Sequence, residues 1–325
     1  MEWQDLYKAC VGSIHDVESQ LPRDKYLLYL SGSYGDIILN LALLKSFHEK
    51  HDKSIIVLMP SRWELLAKRF KYQFVDYILI DDAFDQRIRL SMANMGRPFL
   101  REPGLLFPLL PTLHPWLAEF NRSGRISDFE LRRGLFGVKM GSKFDVPPLD
   151  EERQQQVQGL LKNLEIKKGR TICLSFLTNS NQTIPEWVQF LIYSTICERG
   201  FDCIINTAYS FPGKQLGNLV IPNNSKQIEI PCDCPFEFIE YFGGFIGVLN
   251  GITVVLGGVQ TVKSHLAFTD AKQTSSLIEH FSDEDPICRT LGPDQLNQFT
   301  MIPTELGREE IVEGCNALMS RFLEA

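Results

Sequence analysis

The residues with the most chemical promise lie in one short stretch, Tyr26-Leu-Leu-Tyr-Leu-Ser31-Gly32-Ser33-Tyr34-Gly35-Asp36, which runs straight into Ile37–Lys50. Tyr26–Leu30 is a brief apolar run and predicts a buried strand. Ser31, Gly32, Ser33, Tyr34 and Gly35 form a turn with two glycines. Asp36 opens a helix whose Ile37, Leu41, Leu44 and Phe47 follow helical spacing. A turn between a strand and a helix N-terminus presents bare N–H groups and the positive end of a helix dipole, which suits a phosphate or another anion. Glycine lets a ligand come close to the backbone. The five turn residues are therefore candidate anion-binding residues. Asp36 has two readings. It is a helix N-cap that satisfies first-turn N–H groups, or it is a carboxylate placed to take a proton from a substrate hydroxyl. The capping reading makes Asp36→Asn nearly neutral for stability, because asparagine caps about as well as aspartate.

Other reactive-looking groups are weaker. Cys232-Asp-Cys234 lacks a second pair at zinc-finger spacing, so no metal site is expected. Asp283-Glu-Asp285 has no strand leading into it and reads as a solvated loop. The arginines 122, 125, 132 and 133 face an anionic ligand or form a solvated helix face. Cys173, Cys197 and Cys203 stand in apolar runs and are expected in the core.

The elements that position these groups alternate. Ser54–Met59 and Tyr77–Ile80 continue the strand–helix rhythm begun at Tyr26, with a helix capped by Ser61 between them. This order predicts a parallel sheet with right-handed crossovers. Residues 83–135 lose the strand rhythm. Met140–Asp150, with Gly141, Pro147 and Pro148, reads as a linker. After the helix Glu151–Leu164, the rhythm restarts. Strands are expected at Thr171–Phe176, Asp202–Asn206, Gln227–Ile230, Phe245–Leu249 and His265–Phe268, and helices at Pro185–Arg199, Pro235–Phe242 and Arg308–Leu323. Two α/β domains follow, 1–145 and 146–325, with the last helix packing back on the first. In such folds ligands bind at the carboxyl ends of the strands.

Composition sets the outer bounds. The chain has 325 residues, 44% hydrophobic and 22% charged, and a net charge of −7. That is an ordinary globular composition, long enough for about two domains. The negative charge argues against a nucleic-acid partner. The N-terminus lacks a signal-peptide core, so the eight cysteines are expected as cytoplasmic thiols. Phe238–Val259 is apolar enough to raise the question of a membrane span. Glu240, Asn250 and its glycines favour a helix end, a buried strand and a second helix start.

Gly35-Asp36 after a first strand resembles the N-terminal motif of the heptosyltransferase-like glycosyltransferases, the group related to glycosyltransferase family nine. Thr171–Phe176 with the Asn/Ser-rich loop after it, Pro185-Glu-Trp187, and Gly244–Gly251 are similar to that family's donor domain. The resemblance implies a GT-B fold, two Rossmann-like domains facing across a cleft. It implies an acceptor-binding first domain, where Ser31–Gly35 would lie, and a nucleotide-sugar donor on the second, near Asn179, Ser180, Asn181, Gln182, Thr183, Asn250 and Gly251. It also implies metal-independent, inverting transfer without a cofactor, with Asp36 as base. The partners would be a nucleotide-sugar and a glycan or other hydroxyl acceptor, with peripheral membrane association through a lipid-linked acceptor. Where the family carries a basic residue and a Ser-Gly pair, this chain has Leu249-Asn250-Gly251, and where heptosyltransferases carry a lysine it has Asn181-Gln182-Thr183. Neutral amides there keep open a glycosyltransferase-like binding or scaffold subunit. A polysaccharide pyruvyl-transferase-like enzyme is a third reading. A nicotinamide enzyme fits least, because Gly32 and Gly35 leave the dinucleotide fingerprint incomplete and Met59-Pro60 stands where an acidic residue is needed.

Overall fold

The computed structural model describes residues 24–95, 106–108, 128–139, 142, 145, 147–177, 184–208, 219–231, 235–248, 264–269, 298–303 and 307–324. The chain divides into two compact units between Pro147 and Pro148.

The first unit is built on four parallel strands: β1 (Tyr26–Tyr29), β2 (Ile55–Pro60), β3 (Val75–Ile80) and β4 (Leu106–Pro108), in the order β3-β2-β1-β4. The chain winds one way from β1 through β2 to β3, and the other way to β4. The turn after β1 therefore leaves the sheet where the winding direction reverses, the position at which open α/β sheets leave a crevice. Helix α1 (Tyr34–His51) follows this turn. The sequence marks one apolar stripe on it, yet Ile38, Leu39 and Leu43 are buried too. A helix buried on most sides is an interior element, and each Leu or Ile it removes from water contributes roughly 1.5–3 kcal/mol. A 3₁₀ turn at Ser61–Trp63 leads into α2 (Glu64–Arg69), α3 (Asp82–Met95) follows β3, and α4 is Asp128–Phe136. Leu27, Tyr29, Ile56, Leu58 and Ile80 alternate onto one sheet face and meet Ile88 of α3. Both α3 and β4 fall in the stretch where the sequence loses its rhythm. The three residues of β4 carry almost no periodic signal and are held by pairing with Leu27–Tyr29.

The second unit begins with α5 (Glu151–Asn163), capped by Asp150, whose carboxylate accepts the Arg153 N–H at 2.9 Å. Its strands are β5 (Thr171–Ser175), β6 (Asp202–Asn206), β7 (Lys226–Ile228), β8 (Phe242–Val248), β9 (Ser264–Thr269) and β10 (Gln298–Pro303). All pair in parallel, in the order β10-β9-β8-β5-β6-β7. This is the full doubly wound order of a dinucleotide-type sheet, with its reversal between β5 and β8. The sequence reading ends the sheet at β9 and misses β10, an edge strand. Helices α6 (Glu186–Glu198), α7 (Pro235–Ile239) and α8 (Arg308–Glu324) complete the described part. The apolar segment that raised the membrane question becomes α7 and the fully buried β8 as far as Val248. No helix among the described residues is long and apolar enough to cross a membrane.

Ile311, Cys315, Leu318 and Met319 of α8 are buried within the second unit. They join Ile172, Leu174 and Ile246 of the second sheet and Val188, Ile192 and Ile196 of α6 in one core. Helical spacing shows that a face needs a partner and carries no information on which one.

Candidate active site

The turn after β1 is built differently from the sequence reading in one respect. The N-cap of α1 is Ser33, in extended conformation (φ −76°, ψ 172°), and the helix starts at Tyr34. Asp36 is its third residue and reaches back. Its Oδ2 accepts the Ser33 backbone N–H at 2.8 Å and the Ser33 hydroxyl at 2.7 Å. Serine followed three residues later by an acid is the spacing of a capping box. The anion at this helix start is thus the chain's own carboxylate. Gly32 supports the turn with φ +125°, a conformation open to glycine. Of the five candidate anion-binding residues, Ser31, Tyr34 and Gly35 are buried, and Gly32 and Ser33 keep solvent exposure. Tyr34 packs its ring 5.8 Å from that of Trp63, as a core residue does.

The other oxygen of Asp36 meets Arg132 of α4. Arg132 Nη2 donates to Asp36 Oδ1, while Nη1 donates to Asn40 Oδ1 at 3.1 Å and lies 3.4 Å from the Asp36 carbonyl. The side chain of Arg132 is 3% exposed and that of Asp36 is 24% exposed. Burial pushes the Asp36 carboxyl upward, but the Arg132 charge, the Ser33 bonds and the Arg132 bond outweigh it. The group is held below the ordinary carboxylate range. The sequence foresees neither Arg132 nor Asn40 in this role. Arg132 and Arg133 belong to a basic run read as a ligand-facing or solvated face, and both are buried. Arg133 Nε donates to the Ser142 carbonyl at 2.9 Å. The available signal was Asn40 itself, a polar residue one turn after Asp36 in an otherwise apolar helix. Arg122 and Arg125 lie outside the described residues.

A second polar cluster lies on the α3 face of the same sheet. The buried Tyr29 hydroxyl donates to Asp85 Oδ1 at 2.5 Å, and Arg62 Nη2 donates to Asp85 Oδ2 at 3.2 Å. Burial, then the Asp85 charge, push the Tyr29 phenol up. Arg62 also donates to Asp82. Asp81 accepts the Phe84 N–H at 2.7 Å and caps α3. Asp81 and Asp82, the acidic residues that follow β3, thus already hold structural partners.

The expected donor residues Asn179, Ser180, Asn181, Gln182, Thr183, Asn250 and Gly251 lie outside the described residues, as do Cys232, Cys234 and Asp283–Asp285. Their flanks are placed. β5 and β8, which lead into the two donor segments, are adjacent strands, with Ser175 opposite Gly247. Asn206 fixes this end of the sheet: Nδ2 donates to Ser175 Oγ at 3.2 Å, and Oδ1 accepts the N–H groups of Ala208 and Ile230. Among the described residues no cluster of three His, Cys, Asp or Glu side chains could hold a metal ion. Cys173 and Cys203 are buried as expected. Cys197 is exposed instead, at the end of α6, with its Sγ 3.9 Å from that of Cys203.

No family model matches the chain, and no curated protein matches it. Solved structures do. A glycosyl transferase of family 9 from Veillonella parvula is similar over 94% of this chain and 99% of its own, at 11% identity and a TM-score of 0.56. The E. coli heptosyltransferase WaaC with ADP covers 93% of this chain and 100% of its own, at 10% identity and a TM-score of 0.51. E. coli ADP-heptose LPS heptosyltransferase II covers 93% and 100%, at 12% identity and a TM-score of 0.50. The fold is that of the heptosyltransferase-type glycosyltransferases. Within this glycosyltransferase fold, Asp36 stands at the switch point of the first sheet. The two expected donor segments follow the strands that flank the switch point of the second.

Proposed function

We propose that this chain is a glycosyltransferase that moves a sugar from a nucleotide-sugar to a hydroxyl of a surface glycan or related acceptor. The observation that supports this best is the likeness to sugar-transferring enzymes over 93–94% of the chain, one of them solved with ADP. In this reading the domains are the GT-B pair expected from the sequence. The first unit holds the acceptor near Ser31–Gly35, and the second holds the donor near Asn179–Thr183 and Asn250-Gly251. Transfer is a single inverting displacement without a metal. The departing diphosphate is stabilised by helix N-termini and neutral amide donors. Without charge assistance, amide bonds are roughly half as strong as those of the basic residues they replace, so donor affinity is modest. Asp36 takes the acceptor proton as general base. The protein works in the cytoplasm and meets the membrane through a lipid-linked acceptor.

The test is transfer with a panel of UDP-, GDP-, ADP- and CMP-sugars and glycan acceptors, repeated with Asp36→Asn. The expected result is turnover with one donor and a loss of about 10²–10⁴-fold in the variant. Silence across the panel, with nucleotide binding intact by calorimetry, would favour the binding-subunit reading. Full activity in Asp36→Asn would move the base elsewhere.

A further inference from the structure

We propose that Arg132 is a positioning residue for Asp36, and that it leaves Oδ1 as the oxygen that receives the acceptor proton. The proposal rests on the glycosyltransferase reading and adds to it a residue from another element and a specific atom. A carboxylate offers about two lone-pair sites on each oxygen. Oδ2 takes the Ser33 N–H at 2.8 Å and the Ser33 hydroxyl at 2.7 Å and is filled. Oδ1 takes one bond, from Arg132 Nη2, and keeps one site. The Asp36 side chain also keeps 24% exposure, so the carboxylate is within reach of a substrate. The fork of Arg132 is itself aimed, because Nη1 is tied to Asn40 Oδ1 at 3.1 Å. Ser33 at the cap of α1, Asn40 one turn after Asp36 on that helix, and Arg132 from α4 therefore fix the carboxylate plane from two elements.

The electrostatics agree with the geometry. Burial alone would favour the neutral acid, which is useless as a base. Arg132 and the Ser33 bonds reverse that tendency and keep the group ionised. Among the described residues Arg132 is the one ionisable group acting on it from a neighbouring element; Ser33 and Asn40 are neutral. In the step itself the acceptor O–H proton passes to Asp36 Oδ1, and the acceptor oxygen bonds to the anomeric carbon. The bond from that carbon to the nucleoside diphosphate breaks, and the diphosphate leaves with the electron pair. Asp36 then returns its proton to water.

The experiment pairs a titration with kinetics on the full-length protein. Carboxyl-carbon NMR follows Asp36 in the wild type, Arg132→Gln and Arg132→Lys, with Asp36→Asn identifying the signal. The midpoint is expected below the ordinary carboxylate range in the wild type and higher in Arg132→Gln. Arg132→Lys, which keeps the charge and loses the fork, falls between them. With a turned-over donor, kcat is expected to drop on the order of 10²-fold in Arg132→Gln through misplacement of the base, with little change in donor KM. The acid limb of the kcat/KM profile should rise with the NMR midpoint. A merely structural arginine would change the melting temperature and leave that limb in place. An ordinary wild-type midpoint, or one unmoved in Arg132→Gln, would overturn the proposal. Should Arg132→Gln fail to fold, the wild type and Arg132→Lys decide it by the same two criteria. If the midpoints move as expected but no donor is turned over, the glycosyltransferase reading has failed and takes the positioning role of Arg132 with it, while the ion pair stands.

Discussion

Asp36 joins a helix cap and an ion pair in one side chain, and the two are separable by substitution. Asparagine in its place keeps one acceptor oxygen, for Ser33 or for Arg132, sets an amide donor against the other, and removes the charge facing a guanidinium that is 3% exposed. The near-neutral stability expected from capping alone is therefore replaced by a measurable loss for Asp36→Asn. Asp36→Ala should cost more than the ~1 kcal/mol of a lost cap. Its partial exposure keeps the loss below the ~3–5 kcal/mol of a broken fully buried pair. Urea unfolding of both variants checks this, and their rates should be compared on the folded fraction. The pH dependence has a defined sign. Because the folded carboxyl lies below its unfolded value, its contribution is complete above the unfolded pKa and is lost as pH falls through the folded one. The acid side of the stability curve should flatten in Asp36→Asn. A second residue-scale expectation concerns Gly247 on β8. A Cβ there would stand 2.3 Å from the Ser175 carbonyl oxygen and 2.9 Å from the Phe245 ring. The oxygen is backbone and cannot move aside, so Gly247→Ala should destabilise by at least the ~1–3 kcal/mol typical of overpacking. A variant with unchanged melting would show that β5 and β8 can separate there.

Two elements carry expectations of their own. The start of α1 depends on Ser33, which gives both its N–H and its hydroxyl to Asp36. Ser33→Ala removes one of those bonds and should lower stability by ~1 kcal/mol, with a smaller effect on the carboxylate than Arg132→Gln. At the other end of the chain, α8 is held by side chains buried against α6 and the second sheet. Leu318 is 3% exposed, and Leu318→Ala should cost about 2–5 kcal/mol. The same substitution at Ala-compatible surface sites of α8 would change little. Equilibrium unfolding followed by far-ultraviolet circular dichroism reads this directly. A loss under 1 kcal/mol would mean that the helix end is less tightly packed than its burial indicates.

For the whole molecule, the expectation follows from linkage. A nucleotide that binds only the folded chain should stabilise it by about 2.7 kcal/mol at a hundred times its Kd. A thermal-shift panel of ADP, UDP, GDP and CMP therefore ranks the nucleobases without needing an acceptor. The expected outcome is a rise in melting temperature with one of them that persists in Asp36→Asn, since the donor sits on the second unit in the proposed function. A rise abolished by Asp36→Asn would put the nucleotide on the turn after β1 and reverse the assignment of the two units.

The alternation of short apolar runs with helical periods was enough by itself to determine a parallel α/β chain with two strand–helix series, because both periodicities are written in local spacing. Asp202–Asn206 was legible to the residue, and the strand–glycine turn–helix at Tyr26–Asp36 was legible as a place for chemistry. Capping was legible too, though its owner was misread: Ser33 and Asp36 have capping-box spacing, and only the helix start at Tyr34 decides which of them is the cap. Tertiary structure alone decided the rest. β4 and β10 are strands because a neighbouring strand offers its edge, and which edge is on offer is not written in their own residues. Arg132 reaches Asp36 across 96 positions of sequence, a pairing no local period encodes. The apolar face of α8 was visible in the sequence as a face, but its destination was set by which core had room for it. Local spacing fixes which surfaces must be buried, and only the packed chain fixes which of them meet.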